Sequence, residues 1–180
     1  VTMREAVQQS INVCAVKVFV EVGPEYAAKQ LKKFGITSVV ETGDVNDMNA
    51  AALALGGMTN GISPVEMAGA YTALANLGTY TEPVAYTKVT DRNGDIILKS
   101  TQESHEVLDP GVAWIMDDIL RTTVTNGIAN AAAIGVQPVA GKTGTTDDKV
   151  DAWFCGFTPQ YTAALWIGND VNIQLTEGST

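Results

Sequence analysis

The residues best suited to chemistry in this chain are a lysine set among glycines and hydroxyls, Gly141-Lys142-Thr143-Gly144-Thr145, and a hydroxyl two positions from an amide, Ser10-Ile11-Asn12. Gly-Lys-Thr invites comparison with a phosphate-binding loop. That loop needs a glycine five residues before the Gly of Gly-Lys-Thr, and the residue there is Val136. Gly135 misses the register by one, Pro138 interrupts the cradle, and Thr145-Thr146-Asp147-Asp148 is followed by no apolar helical stripe that would close an anion site with a helix N-terminus. The other reading is a strand lining a cleft. Alternation then puts Lys142 and Gly144 on one face and Thr143 and Thr145 on the other. A glycine at a cleft edge lets a substrate approach the backbone. A lysine with flanking hydroxyls suits a small carboxylate, and a backbone N–H beside the glycine can serve an oxyanion.

Ser10 and Asn12 pose a geometric problem, because residues two apart on a helix point about 200° apart. For both to act in one cleft the helix must break, with the pair in a linker between helices over 3–9 and 13–22. A continuous helix with two polar positions on its solvated side is the competing reading. His105 lies in the polar run Thr101-Gln102-Glu103-Ser104-His105-Glu106 and reads as an exposed loop residue, not a catalytic base. One histidine with Cys14 and Cys155 does not make a four-ligand zinc site, so no metal or cofactor is expected, and the two cysteines read as buried thiols. Asp147, Asp148 and Asp151 read as a solvated turn balanced by Lys149 and carry no assigned role.

Eleven Lys and Arg against 20 Asp and Glu give a net charge of −9, a field that repels phosphate backbones and argues against nucleic acid as partner. The chain is 46% hydrophobic and 17% charged, with no run near ~18 apolar residues, so a soluble globular domain is expected and a membrane span is not. Its first residues, Val-Thr-Met-Arg-Glu-Ala-Val, carry no secretory signal.

The elements that must position these groups follow from patterning. Thr2 and Glu5 form a capping box, and Met3, Val7, Ile11, Cys14 and Val18 make one helical stripe. Gly23-Pro24 ends that segment and starts a second helix, stopped at Gly35. Residues 36–60 read as a long loop with a helical turn near 50–55. Ser63-Pro64-Val65-Glu66 opens a helix over 64–77, and Asp109-Pro110 opens another that ends near Asn126-Gly127. Asn93-Gly94 between Val84–Thr90 and Asp95–Leu98 predicts a peripheral hairpin. Strands are predicted over Val139–Thr145, Ala152–Phe157 and Thr162–Gly168, the last two joined at Thr158-Pro159-Gln160. Helices followed by a closing antiparallel meander make the fold class α+β.

Taken together, Ser10-Ile11-Asn12, the run from Gly56 to Ala68, and Gly141-Lys142-Thr143-Gly144-Thr145-Thr146 with Asp151-Ala152-Trp153-Phe154 resemble the transpeptidase domain of penicillin-binding proteins, most closely the bifunctional class A type. The resemblance implies an antiparallel sheet packed with helices, as in serine β-lactamases, and cross-linking of peptidoglycan stem peptides through a serine acyl-enzyme. It implies that Ser10 relays a proton, that Asn12 holds the substrate backbone, and that Lys142 supplies positive field. It places the Thr143 and Thr145 hydroxyls near the substrate carboxylate, beside Gly144, and gives the Thr145 N–H half of an oxyanion hole. Because Thr143 and Thr145 lie opposite Lys142 in an ideal strand, one of these roles demands a twist or bulge.

The family's nucleophile sits in Ser-x-x-Lys, and no serine of these 180 residues has a lysine three positions on. Residues 1–180 are therefore expected to be one partial transpeptidase domain, lacking the nucleophile helix and the C-terminal helix and inactive alone. An exposed apolar patch and self-association are expected as a consequence. The implied partners are stem peptide and β-lactams, and the implied location is the outer face of the bacterial cytoplasmic membrane, through an anchor outside this chain. A D,D-carboxypeptidase or β-lactamase relative and a non-catalytic peptide-binding module are the alternatives.

Overall fold

In a computed structural model that describes residues 1–176, the chain forms six helices and seven strands among the described residues. The capping box at Thr2 launches α1 (Met3–Gln8), with Glu5 N donating to Thr2 Oγ1 and Thr2 N to Glu5 Oε2 at 2.8 Å. After a three-residue break, α2 (Asn12–Val22) runs to Gly23 and α3 (Pro24–Lys33) follows. A short α4 (Ala50–Leu53) lies in the long loop, capped by Asn49. The second capping box, Ser63 with Glu66, opens α5 (Pro64–Ala75), two residues shorter than expected.

Two strands escaped the sequence reading: β1 (Thr79–Thr81) pairs antiparallel with β4 (Ser104–Glu106). Three residues are too few to show alternation, so only contact with the rest of the fold reveals them. His105 therefore belongs to a strand, not a loop. It is exposed as expected, yet its ring lies against Tyr80 and its Nε2 reaches Lys33 O at 2.9 Å. The predicted hairpin is present as β2 (Lys88–Thr90) and β3 (Ile96–Lys99), exposed throughout and peripheral.

α6 (Pro110–Asn126), capped by Asp109, precedes a 3₁₀ turn at Asn130–Ala132. The principal sheet then forms in the order β5-β6-β7, from β5 (Ala140–Thr145), β6 (Asp151–Phe157) and β7 (Thr162–Gly168), all antiparallel. Mixed helices around an antiparallel sheet confirm the α+β class.

The core forms where one face of this sheet meets α1, α5 and α6: Ala140, Phe157 and Leu120 are buried, with Val7, Tyr71 and Leu74 packed on them. A second cluster joins Val124, Ala129 and Val139 to Phe154. Small residues let elements close in, and a Cβ on Gly69 of α5 would meet Pro83 Cγ at 2.8 Å. Cys155 is buried as expected, but Cys14 is half-buried, because α2 lies on α3 and α4 and buries none of its residues; both thiols are free. Large apolar side chains are exposed on β7 (Leu165, Ile167) and on the first half of α6 (Val112, Trp114, Ile115).

Candidate active site

The break between α1 and α2 is a helix end of a specific kind. Ile11 N donates to Ala6 O at 2.9 Å and Ser10 N to Val7 O at 3.1 Å, the paired bonds of a Schellman close. Its left-handed position normally falls to glycine, but here it is Ser10, at φ 53°. Asn12 then opens α2. The continuous helix is thus ruled out, and the turn delivers the Ser10 hydroxyl to β5, where Lys142 Nζ donates to Ser10 Oγ at 2.7 Å and to Thr143 O at 2.8 Å. Asn12 is exposed, and among the described residues no hydrogen bond ties its amide to Lys142.

One element holds both halves of the site. Arg4 of α1 pairs with Asp118 of α6 at 2.6 Å, and Gln8 Nε2 donates to Asn126 O at 2.7 Å. Gly127 has no room for a side chain against Gln8 O, so the C-terminal ends of α1 and α6 meet closely. From the same helix Thr123, fully buried, donates its Oγ1 to Gly141 O of β5 at 2.5 Å. Helix α6 therefore fixes the Ser10 turn relative to the Lys142 strand. The sequence reading missed Thr123, whose visible signal was a hydroxyl on the apolar side of α6.

The backbone of β5 has a definite polarity. Thr146 N donates to Asp151 O at 3.1 Å, in continuation of the β5–β6 register, so even-numbered residues of β5 bond β6. The odd ones, Gly141, Thr143 and Thr145, direct their N–H and C=O to the open side. Two contacts agree: Gly141 O takes Thr123 and Thr143 O takes Lys142. The Thr145 N–H thus faces the open edge, where an oxyanion donor is useful. The register runs without a bulge, so Thr143 and Thr145 keep their side chains on the face opposite Lys142 and offer the open edge their backbone. Gly144 is exposed and a Cβ there would touch only Trp153 Cβ, at 3.5 Å.

Burial lowers the Lys142 pKa, which makes its amine a readier proton acceptor. Its cross-strand partner Cys155 stays a protonated thiol, its pKa pushed up to about 11 by burial, and that of Tyr71 is raised by burial and then by Cys155. Asp147 and Asp148 are exposed, as expected. Asp151 is not part of a solvated turn, because it accepts Trp166 Nε1 at 2.8 Å. Among the described residues no cluster of His, Cys, Asp and Glu is suited to hold a metal.

A further buried group supports the flank of α2. Asp47, 1% exposed, accepts Val40 N at 2.8 Å, Thr59 N at 2.8 Å and Thr59 Oγ1 at 2.7 Å, tying the long loop that carries α4 against α2. Burial alone would raise its pKa, but these donors outweigh it and hold the carboxyl below its usual value.

On the open edge of the sheet Lys-Thr-Gly thus faces a serine held in a left-handed turn, with an amide two residues on. The sequence model described as penicillin binding protein transpeptidase domain matches residues 1–174. The chain belongs to that family. It is 43% identical over 172 residues to penicillin-binding protein 1A of Clostridium botulinum, covering 94% of this chain and 20% of that protein. Penicillin-binding protein 1A of Haemophilus influenzae has the same fold, with a TM-score of 0.79 at 21% identity, over 98% of this chain and 31% of that one. Penicillin-binding protein A from Mycobacterium tuberculosis, solved as an imipenem acyl-enzyme complex, matches at a TM-score of 0.74 and 21% identity, over 98% and 44%. The chain spans about a fifth of the length of the curated relatives it matches.

Proposed function

We propose that this chain is the substrate-gripping part of a peptidoglycan D,D-transpeptidase, one partial domain over residues 1–180 whose nucleophile lies in Ser-x-x-Lys outside it. The observation that carries the reading is the 2.7 Å contact of Lys142 with Ser10 beside the open edge of β5. In this reading a D-alanyl-D-alanine stem peptide lies along that edge. Lys142 and the β5 backbone hold its carboxylate and carbonyl, Asn12 holds its backbone, Gly144 leaves room, and Ser10 passes the leaving amine a proton returned through Lys142. The Thr145 N–H supplies one oxyanion donor, and the Thr143 and Thr145 hydroxyls act only if the strand twists on binding. β-Lactams enter the same groove, as the imipenem complex of the M. tuberculosis relative supports. The intact protein works at the outer face of the cytoplasmic membrane. Among the described residues no helix is long and apolar enough to cross a membrane, so the anchor belongs to other segments. The exposed apolar surface also leads the chain to associate with itself.

For these 180 residues taken alone, the lack of Ser-x-x-Lys favours a second reading, a peptide-binding module without turnover. Intact mass of the 180-residue chain before and after penicillin tests where the nucleophile lies. No adduct is expected, and a covalent penicillin on the chain would overturn the placement of the nucleophile. Titration with a D-alanyl-D-alanine peptide, followed by amide shifts of β5, tests the grip. Lys142→Met is expected to weaken binding about tenfold or more, the loss of one charge-assisted hydrogen bond. Unchanged affinity would sink the proposal.

A further inference from the structure

We propose that the Thr146 hydroxyl is a positioning group that holds the Thr145 N–H in its outward direction, an inference that rests on reading that N–H as an oxyanion donor. The rungs from β5 to β6 fall at even-numbered residues, so Thr145 lies between two of them, Gly144 with Trp153 and Thr146 with Asp151. The Thr146 rung is the last before the turn. A rung of this kind is normally a pair of main-chain bonds, each residue donating its N–H to the carbonyl of the other. Here one half has that form, with Thr146 N donating to Asp151 O at 3.1 Å. The other half is made by a side chain: Asp151 N donates to Thr146 Oγ1 at 3.0 Å, while Thr146 O accepts Lys149 N at 2.9 Å.

The geometry of the turn makes this substitution necessary. Lys149 takes a left-handed conformation, φ 52°, and the chain doubles back so that Val150 N also donates to Thr146 Oγ1, at 3.0 Å. One hydroxyl oxygen thus accepts two successive N–H groups, a local cap that a threonine or serine at this place supplies. Asp151 is held from its other side, since Trp166 Nε1 of β7 donates to Asp151 Oδ1 at 2.8 Å. The rung therefore has one side anchored to the sheet and one side hung on the Thr146 hydroxyl. Without that oxygen the rung keeps a single bond, and Thr145 becomes the fraying end of β5. An oxyanion donor contributes only when it already points to where the charge develops, so a frayed Thr145 N–H is a weaker one.

The same device closes the other turn of the sheet and supplies an internal comparison. Thr158 N donates to Tyr161 O at 2.8 Å, and Thr158 Oγ1 accepts Tyr161 N at 3.1 Å and Gln160 N at 3.3 Å. That turn joins β6 to β7 at the end of β6 far from Thr145. In both places a threonine hydroxyl stabilises a hairpin. What sets Thr146 apart from Thr158 is its neighbour, whose N–H faces the same side of β5 as the carbonyl that Lys142 holds. Every contact in this comparison lies within β5, β6, β7 and their two turns.

Three variants of the 180-residue chain test this, each at a temperature where circular dichroism shows it fully folded. Thr146→Val keeps the shape and removes the oxygen, with Thr146→Ala in its place should the valine variant not fold. Thr146→Ser restores the oxygen, and Thr158→Val removes the same device at the other turn. The first readout is the nitrogen-15 order parameter of the Thr145 N–H. The native chain, Thr146→Ser and Thr158→Val are expected near the ~0.85 of rigid backbone, and Thr146→Val is expected to fall toward ~0.6. The second is affinity for an N-acetylated D-alanyl-D-alanine peptide, followed by the Thr145 amide shift. Thr146→Val should weaken it about fivefold, the other two variants not at all. A Thr145 N–H as ordered in Thr146→Val as in the native chain, an affinity indifferent to Thr146→Val, or an equal loss in Thr158→Val would overturn the inference and leave the reading of the site standing. A native chain that does not bind the peptide, or binds it with no shift at Thr145, overturns that reading and the inference with it.

Discussion

Two residues show how a single side chain can be placed against its own preference. Ser10 occupies the left-handed end of a Schellman close, where glycine is usual, and its hydroxyl meets Lys142 there. Ser10→Gly should therefore raise stability by about 1 kcal/mol in a denaturant titration while deleting the hydroxyl. A loss of stability would mean that the Lys142 contact outweighs the backbone strain. Asp47 is the opposite case, a buried carboxylate satisfied by three donors from Val40 and Thr59. Asp47→Asn turns an amide donor toward one of those N–H groups and should cost about 2–3 kcal/mol. The pH dependence has a definite sign. The folded-state pKa lies below the unfolded one, so the ionised lock contributes fully above about pH 4 and is lost as pH falls through the depressed value. The gap in stability between native and Asp47→Asn chains should narrow below that pH; a constant gap would refute the lock.

At the scale of elements, α6 does the positioning. It holds α1 through Arg4–Asp118 and Gln8–Asn126, and β5 through Thr123–Gly141. Thr123→Val keeps the shape but removes the donor, leaving the Gly141 carbonyl short of a partner in a buried place; unfolding should become easier by about 1–2 kcal/mol. If Thr123 also sets the distance between Ser10 and Lys142, the variant should bind the stem peptide more weakly at temperatures where it is fully folded. Equal binding would confine Thr123 to stability. Capping boxes made α1 and α5 legible in advance, since Thr2–Glu5 and Ser63–Glu66 are local signals. β1 and β4 were illegible because three-residue strands exist only through each other and through α5, which packs on β1.

At the scale of the whole described chain, helices and two small strand pairs surround one principal sheet in the order β5-β6-β7. β5 carries Lys142 beside Ser10, with the Thr145 N–H on its open side. Burial lowers the Lys142 pKa, so peptide held by its charge should release at a lower pH than an exposed lysine would require, with affinity falling as the amine deprotonates. A titration of affinity against pH, with no fall before the ordinary lysine range, would contradict that. By itself the sequence determined the family, the α+β class and the β5–β6–β7 meander, and it singled out Ser10, Asn12 and Lys142 as candidates, because those rest on periodicity, caps and short motifs that neighbouring residues carry. It left open whether the helix broke at Ser10 and how Thr143 and Thr145 would turn toward the site, and it misjudged the solvated-turn setting of Asp151 and the burial of Cys14. Those depend on groups far apart in the chain. Only tertiary packing against α6 decides that a serine takes glycine's place in the turn, and that Ser10 and Lys142 meet at 2.7 Å.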